Sequence, residues 1–431
     1  MSEKPKLDII IFGATGYTGK CVLIEFVKLN RRRYSWAVAG RNHEKLKELL
    51  EWATVKSGED VSETAIIIAD CSDQASLNSM ANQGKIVINC CGPYRLYGEP
   101  VVKACVENGT HHLDVSGEPE YMENMQLKYH ETAEANHVYV VSACGFDSIP
   151  ADFGVIHFVK NFGGVVNSIE SHLMAISQSS NEPFVNIGTW KSIVLALKTR
   201  KNLRPLRKKL SQLLSRPQLE PRLKPRWPIH RSEVFDHKIG VPFPGADKTV
   251  VYRTQNLLYK EYGQRPVQYY PYYIVNSFAT LLGLVLIGFF LVTLGNFGWG
   301  QRLLIRYAEF FSLGTTSRTG PSEQTRVSAT TVFRFKGIGW SSDIADSFQQ
   351  KEKITVPANK EMITEISLAD AGYGFTATAI ILGAFTILDE CDSMPSTGGV
   401  YTPGGAFFKT NYLKRLEENG FSTKILQSEL K

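Results

Sequence analysis

Several signatures are missing from this 431-residue chain, and each absence removes a class of function. It has no G-x-S-x-G, no G-x-x-x-x-G-K-[ST] and no H-E-x-x-H. The usual signs of an α/β-hydrolase serine, a P-loop and a zinc protease are therefore lacking. The seven cysteines are Cys21, Cys71, Cys90, Cys91, Cys105, Cys144 and Cys391. They are odd in number and form neither a C-x-x-C nor a zinc-finger spacing. That pattern fits buried thiols in a reducing compartment better than a disulfide framework. The N-terminus, Met1-Ser2-Glu3-Lys4-Pro5-Lys6, is charged and leads straight into an apolar run. No cleaved signal is expected, and the bulk of the chain is expected to face the cytosol. No internal repeat is visible. Charge is absent altogether between Arg265 and Arg302, a run of 36 residues.

What is present fits a globular chain of about two to three domains. It is 43% hydrophobic and 21% charged, with a formal net charge of +6. The basic excess is local. Residues 198–231 hold twelve Lys/Arg and one acid, Glu220, which leaves the remainder at −5. This argues for a basic segment and against general nucleic-acid binding.

The first 150 residues alternate short apolar runs with helical patterns. Strands are expected at 7–12, 35–40, 64–70, 85–91, 111–116 and 138–143. Helices are expected at 17–29, 44–55, from the Gly-Pro turn at 92–93 to 107, and around 120–135. Such alternation implies βαβ units and a Rossmann-type, doubly wound parallel sheet over 1–150. A second α/β (α+β) domain is expected over 151–394. Its expected helices are 151–161, 187–198 and 372–390, and its expected strands are 168–177, 249–254, 327–337 and 361–368. The basic segment should be a loop, or an exposed helix followed by a loop. The tail, 395–431, could return to either domain, with a helix near 409–418 and a strand near 421–427.

The first strand ends in Gly13-Ala14-Thr15-Gly16-Tyr17-Thr18-Gly19. Gly13 would allow the tight turn, Gly16 the approach of a pyrophosphate, and Gly19 close packing of helix on strand. Free N–H groups at the helix start would meet the phosphates, with Thr15 and Thr18 as added donors. The alternative is a plain tight βα turn. Strand two ends in Arg41, where an NAD site usually has an acid. A guanidinium there can clamp a 2′-phosphate, so NADP(H) is favoured over NAD(H). The competing reading is a solvated arginine at a helix start. Asp70 could accept from an adenine amino group, or act as an N-cap or turn residue, with Ser72 and Asp73 as rival caps. Cys91, Gly92 and Pro93 close the fourth strand and should neighbour the nicotinamide. Packing is the preferred role of the Cys91 thiol, and reactivity the alternative.

Catalytic candidates lie on the later strand ends, HHLDVSGE and CGFDSIP. His112 and Asp114 alternate onto one strand face and could pair as acid and orienter, with Tyr94 or water as another proton source. The preferred alternative is that these groups only hold loops and cap helices. Adjacent His111 and His112 point to opposite faces, so HHLD is no metal site.

The uncharged segment 266–301 centres on 274–294, 21 mostly apolar residues long enough as a helix to span a bilayer. Tyr269, Tyr270, Tyr272 and Tyr273 before it and Trp299 after it look like interfacial anchors. Monotopic insertion is preferred over a single crossing, which would separate the tail from the domains it should pack on. Burial or an oligomer contact, such as a homodimer, is the third reading. The basic segment upstream would favour an anionic surface.

GATGYTG, AGR, NCCGPY, LDVSGE and GFDSIPAD, in this order, resemble the saccharopine dehydrogenase-like oxidoreductases. That family is similar to saccharopine reductases and to bacterial trans-acting enoyl reductases of lipid synthesis. The resemblance implies an N-terminal Rossmann domain, a second α/β domain and a nicotinamide cofactor. It also implies association with lipid droplets and other membranes, mitochondria among them. Three functions stay open. One is an NADPH-dependent reductase of a lipid-like C=C or C=O at the cytosolic face of a membrane or droplet. Another is an NADP(H)-binding sensor or scaffold without turnover. The last is a soluble amino-acid dehydrogenase of the saccharopine type.

Overall fold

The computed structural model of the protein describes residues 5–176, 182–213, 217–345, 348, 352–395 and 397–430. The N-terminal strands are β1 (Leu7–Phe12), β2 (Trp36–Gly40), β3 (Ala65–Ile68), β4 (Gly84–Asn89), β5 (His111–Asp114) and β6 (Tyr139–Val141). Between them run α1 (Tyr17–Asn30), α2 (His43–Ser57), α3 (Gln74–Asn82), α4 (Tyr94–Glu107) and α5 (Pro119–Ala135). The strands pair in parallel in the order β6-β5-β4-β1-β2-β3. This is the doubly wound order, with its switch point between β1 and β4. Ile9, Ile10 and Ile11 are all fully buried, because helices cover both faces of the sheet. Helix α3 lies outside the sequence expectation. It is short and polar, and Asp73 caps it by accepting from the Ala75 N–H at 3.0 Å.

Helix α6 (Ile149–Phe162) leads from β6 into β7 (Gly164–Ile176). After β8 (Val185–Asn186) come α7 (Ile187–Thr199) and α8 (Leu203–Leu213). Next are β9 (His230–Arg231), β10 (Ile239–Pro242), α9 (Asp247–Tyr262) and β11 (Gln268–Val275). The chain goes on through α10 (Phe278–Leu294), α11 (Gly298–Arg306), α12 (Ala308–Phe311), β12 (Thr316–Ser317) and α13 (Glu323–Ser328). It ends with β13 (Thr330–Ser341), α14 (Ser342–Ala345), β14 (Lys360–Ala369), α15 (Thr376–Glu390), β15 (Gly399–Tyr401), α16 (Pro403–Phe407), α17 (Tyr412–Glu417) and β16 (Ser422–Leu430). A second sheet has the order β16-β14-β13-β7-β11-β10-β9. Only β7 and β11 are parallel neighbours in it.

The strand expected at 249–254 is instead the first half of α9. Its β-branched Thr249, Val250 and Val251 suggest a strand. Burial of Val250, Val251, Thr254, Gln255 and Leu258 follows a helical face instead. Thr254 Oγ1 donates to Asp152 of α6 at 2.8 Å, so tertiary packing overrides local propensity. The tail returns to both sheets: β15 pairs with β6, and β16 with β14. Helix α15 packs on α1, with the Phe385 ring 6.0 Å from Phe26 and 4.9 Å from Tyr34. One apolar cluster runs from Ile9 and Val22 through Phe153 and Ile381 to Phe333 and Phe335. The two sheets therefore share a core.

The uncharged run departs most from expectation. Its first part is β11, inside the second sheet. Tyr272 is fully buried and Tyr269 nearly so, and Tyr269 bonds Ser171. These tyrosines are sheet residues and not interfacial anchors. The longest helix of the run, α10, has only 17 residues, about 25 Å at 1.5 Å per residue. That falls short of a hydrocarbon core of about 30 Å. Of α10, only Leu281 is buried. Phe278, Leu282, Val285, Phe289 and Val292 stand in solvent, as do Phe297 and Trp299 just beyond it. The chain then folds back through α11, whose Leu304 carbonyl accepts from Trp190 Nε1 of α7 at 2.9 Å. The basic segment is α8 followed by loop, apart from residues 214–216, which lie outside the described residues. Two of its arginines face acids within the protein: Arg207 pairs with Glu123, and Arg226 with Glu170 and Glu233.

Candidate functional site

The turn after β1 is shaped by what its glycines lack. Gly13 has φ +78°, and a Cβ there would come within 2.6 Å of Cys91 Sγ. A Cβ on Gly19 would lie 2.3 Å from the Gly13 carbonyl oxygen. Neither position admits a side chain, so α1 starts tight against β1 with Ala14 fully buried. Thr15 and Gly16 are exposed and Thr18 is half-buried. Gly16 is the N-cap of α1 and offers no side-chain cap. The first N–H groups of the helix are thus presented to an incoming anion. The Tyr17 side chain turns away from the turn. Its hydroxyl donates to the Pro321 carbonyl at 2.6 Å, and its ring meets Tyr373 edge-on at 4.7 Å. Only its backbone remains for a phosphate.

Arg41 is exposed at the end of β2 and has no carboxylate partner among the described residues. The helix start beside it is served by Asn42, which accepts from the Lys45 N–H at 2.9 Å. Arg41 is therefore not the cap. Asp70 closes a turn through Oδ1, which accepts from Ser72 N at 2.9 Å and Ser72 Oγ at 2.8 Å. These bonds hold its carboxyl below the usual range. Across the switch point, Gly92 is exposed, Cys91 half-buried and Pro93 buried. A bond with Cys71, together with burial, pushes the Cys91 thiol far up. Its side chain packs against the core cluster beneath the first sheet.

His112, Asp114 and Tyr94 do not form a reactive constellation. His112 is fully buried, and burial pushes its pKa down to about 3, so it stays neutral. Its Nε2 lies 3.3 Å from Asn89 Nδ2, and its Nδ1 is 3.9 Å from Asp114, too far for a hydrogen bond. Asp114, also fully buried, accepts from Ser116 N, Ala143 N, Ser142 Oγ and Tyr121 OH. The Tyr94 hydroxyl donates to the Asn89 carbonyl at 2.9 Å. All three are buried. Asp114 instead positions a loop: Ala143, bonded to it, takes a left-handed φ of 65° and turns the chain into Cys144–Ser148.

That loop carries Asp147, which lies within the CGFDSIP strand end but is not among the residues singled out there. Its side chain is exposed, yet surrounding protein raises its carboxyl above the usual range. Loss of solvation disfavours the charged carboxylate there. A Cβ on Gly117, in the loop after β5, would lie 2.6 Å from Asp147 Oδ2, so this loop needs glycine to leave room for the acid. The available signal was an acid at the carboxyl edge of the sixth strand, two residues after Gly145.

The second domain closes on the same edge. Glu118, at the start of α5, accepts from Tyr94 N at 2.9 Å, from Arg95 Nε at 2.7 Å and from Ser192 Oγ of α7 at 2.8 Å. Arg95 also donates to the Leu195 carbonyl and to Thr199 Oγ1. Helix α7 is thereby fixed to the starts of α4 and α5, at the carboxyl edge of the sheet.

Comparison with known proteins places this geometry. Residues 9–141 match the saccharopine dehydrogenase NADP binding domain. The chain is 40% identical over 434 residues to a saccharopine dehydrogenase-like oxidoreductase of Homo sapiens, covering 99% of each. It is 37% identical over 440 residues to a lipid droplet localized protein of Caenorhabditis elegans, covering 98% of this chain and 99% of that one. The apo saccharopine dehydrogenase (L-Glu forming) of Saccharomyces cerevisiae shares its fold, with a TM-score of 0.54 and 13% identity. That match covers 98% of this chain and all of the other.

Proposed function

The chain belongs to the saccharopine dehydrogenase-like oxidoreductases and carries an NADP-binding domain, and from that premise we propose a reductase of lipid-like substrates working at the cytosolic face of a membrane or lipid droplet. The observation that carries this reading is the double role of α7. One part of it is bonded to Glu118 and Arg95 at the carboxyl edge of the first sheet. Another part supports the apolar elements: Trp190 bonds the Leu304 carbonyl, and Gln301 bonds the Val194 carbonyl. Exposed α10 thus rests on the helix that borders the site. A contiguous exposed apolar surface of this kind is rare on a protein with nothing to dock on.

The residues present fit NADP(H). Gly13 and Gly19 leave a cradle that a Cβ would fill, α1 offers its first N–H groups, and Arg41 is a free cation where the 2′-phosphate would lie. When bound, NADPH supplies a hydride to a polarised C=C or C=O. Arg41 and the α1 N-terminus would hold the phosphates. Asp147, kept more protonated than an ordinary aspartate, would deliver the proton that balances the hydride. The burial of His112, Asp114 and Tyr94 favours the second reading, an NADP(H)-holding scaffold without turnover.

The test is NADPH oxidation by the purified protein with phospholipid-coated oil emulsions, compared with dissolved amino acids. Wild type is expected to oxidise NADPH with the emulsion only. The L282D/V285D/F289D variant of α10 should lose that stimulation at least tenfold while binding NADPH as before. Tight NADPH binding with no oxidation on any lipid would leave the scaffold reading in place.

A further inference from the structure

The exposed apolar face ends at a small cavity of about 190 Å³ that no step above uses. Its lining includes Arg306, Tyr307, Glu309, Phe310, Ser317 and Arg318. Arg306 and Arg318 are both exposed, and neither has a carboxylate partner within ion-pair distance among the described residues, Glu309 included. The two are tied together, since Arg318 Nη2 donates to the Arg306 carbonyl at 3.2 Å. The cavity thus carries two guanidinium groups against one carboxylate, Glu309, a net positive charge that favours an anionic ligand.

The remaining wall is apolar and open. Tyr307 is 50% exposed and Phe310 is 70% exposed. An aromatic row joins this wall to α10: Phe310 to Phe311 at 5.2 Å, Phe311 to Phe290 at 5.2 Å, and Phe290 to Phe289 at 5.9 Å. A ligand matching both walls is anionic at one end and apolar at the other. Free phosphate would satisfy the arginines and leave the aromatic rings in water.

We propose that Arg306 and Arg318 bind the phosphate of an anionic phospholipid in the surface on which α10 lies, with Tyr307 and Phe310 against the lipid's glycerol and upper acyl chain. Basic side chains beside a membrane-facing apolar patch add selectivity for anionic surfaces, and planar guanidinium groups suit phosphate oxygens. The proposal rests on the docking reading of α10.

Vesicle flotation of the full chain tests it. Wild type should partition about tenfold more strongly onto phosphatidylcholine vesicles containing phosphatidylserine than onto pure phosphatidylcholine. The R306A/R318A variant should lose that preference, keep its binding to pure phosphatidylcholine, and bind NADPH normally as proof of folding. A K208A/K209A variant, with equal charge loss on α8, should keep the preference. The site is overturned if wild type shows no preference, if R306A/R318A retains it, or if K208A/K209A loses it equally. If wild type floats with neither vesicle, the docking reading fails on its own. Titration with dihexanoyl phosphatidylserine below its micelle concentration then decides the headgroup site. Saturable binding lost in R306A/R318A supports it, and absent binding, or equal competition by inorganic phosphate, overturns it.

Discussion

The carboxyl edge of the first sheet and the exposed face of α10 are built from opposite materials. At the sheet edge the binding surface is backbone: a turn that admits no Cβ at Gly13 or Gly19, and a helix start without a side-chain cap. On α10 the proposed docking surface is side chain only, on a helix whose one buried residue is Leu281. A backbone site is rigid and selects a ligand by shape and phosphate charge. A side-chain face of this kind selects by the area removed from water, at roughly 25 cal/mol per Å². The first is specific and the second tolerant, which suits a defined cofactor and a varied lipid surface.

The largest expected effect that would sharpen this contrast comes from Asp147→Asn. It should lower lipid-stimulated NADPH oxidation by roughly 10²- to 10³-fold, as for loss of a positioned proton donor. NADPH affinity and flotation should stay at wild-type values. An unchanged rate would move the proton source to water, and a changed flotation would mean the two regions are not separable.

Arg41→Ala comes next. A lost charge-assisted contact of about 1.5–3 kcal/mol corresponds to roughly 10- to 100-fold weaker NADPH binding. NADH binding should not change, and calorimetry with both nucleotides reads the difference. Equal weakening of both would show that Arg41 shapes the loop and does not read the 2′-phosphate.

The smallest effect is on acid stability. His112 is neutral in the fold, with its pKa lowered to about 3 against about 6.5 in the unfolded chain. Its contribution is fully present above pH 6.5. Below that the unfolded chain takes up a proton that the folded one refuses, so stability is lost as pH falls towards 3. Asp152 acts oppositely: burial raises its pKa to about 6, so its contribution is present below pH 4 and lost as pH rises through 6. His112→Gln should therefore show a shallower fall in Tm between pH 6.5 and 4 than wild type. An identical slope in a thermal melt series would mean His112 is accessible after all.

The pattern of success and failure along the chain follows the range of the interactions. Six strands and the glycine turn were legible because each depends on a few adjacent residues and a period of two or of continuous burial. Residues 249–254 misled because β-branching is a local preference, while the packing of Thr254 on Asp152 joins residues 102 apart. The uncharged run misled because composition cannot separate a strand buried in a sheet from a helix lying on a surface. Tyr272 and Phe278 belong to one apolar stretch, but the first is fully buried and the second 72% exposed. Pairing His112 with Asp114 respected strand alternation but could not reveal that Tyr121, Ser142 and Ala143 saturate the acid.

By itself, then, the sequence determined that this protein holds a dinucleotide on a doubly wound sheet and that one stretch is devoid of charge. Both follow from local chemistry, the missing Cβ of three glycines and the solvation preference of side chains. Only the tertiary structure decided that Asp147 lies open while His112 lies sealed, and that α7 ties the cofactor edge to the apolar face. Those facts depend on which distant residues remove water from a given group, and burial is a property of the packed whole.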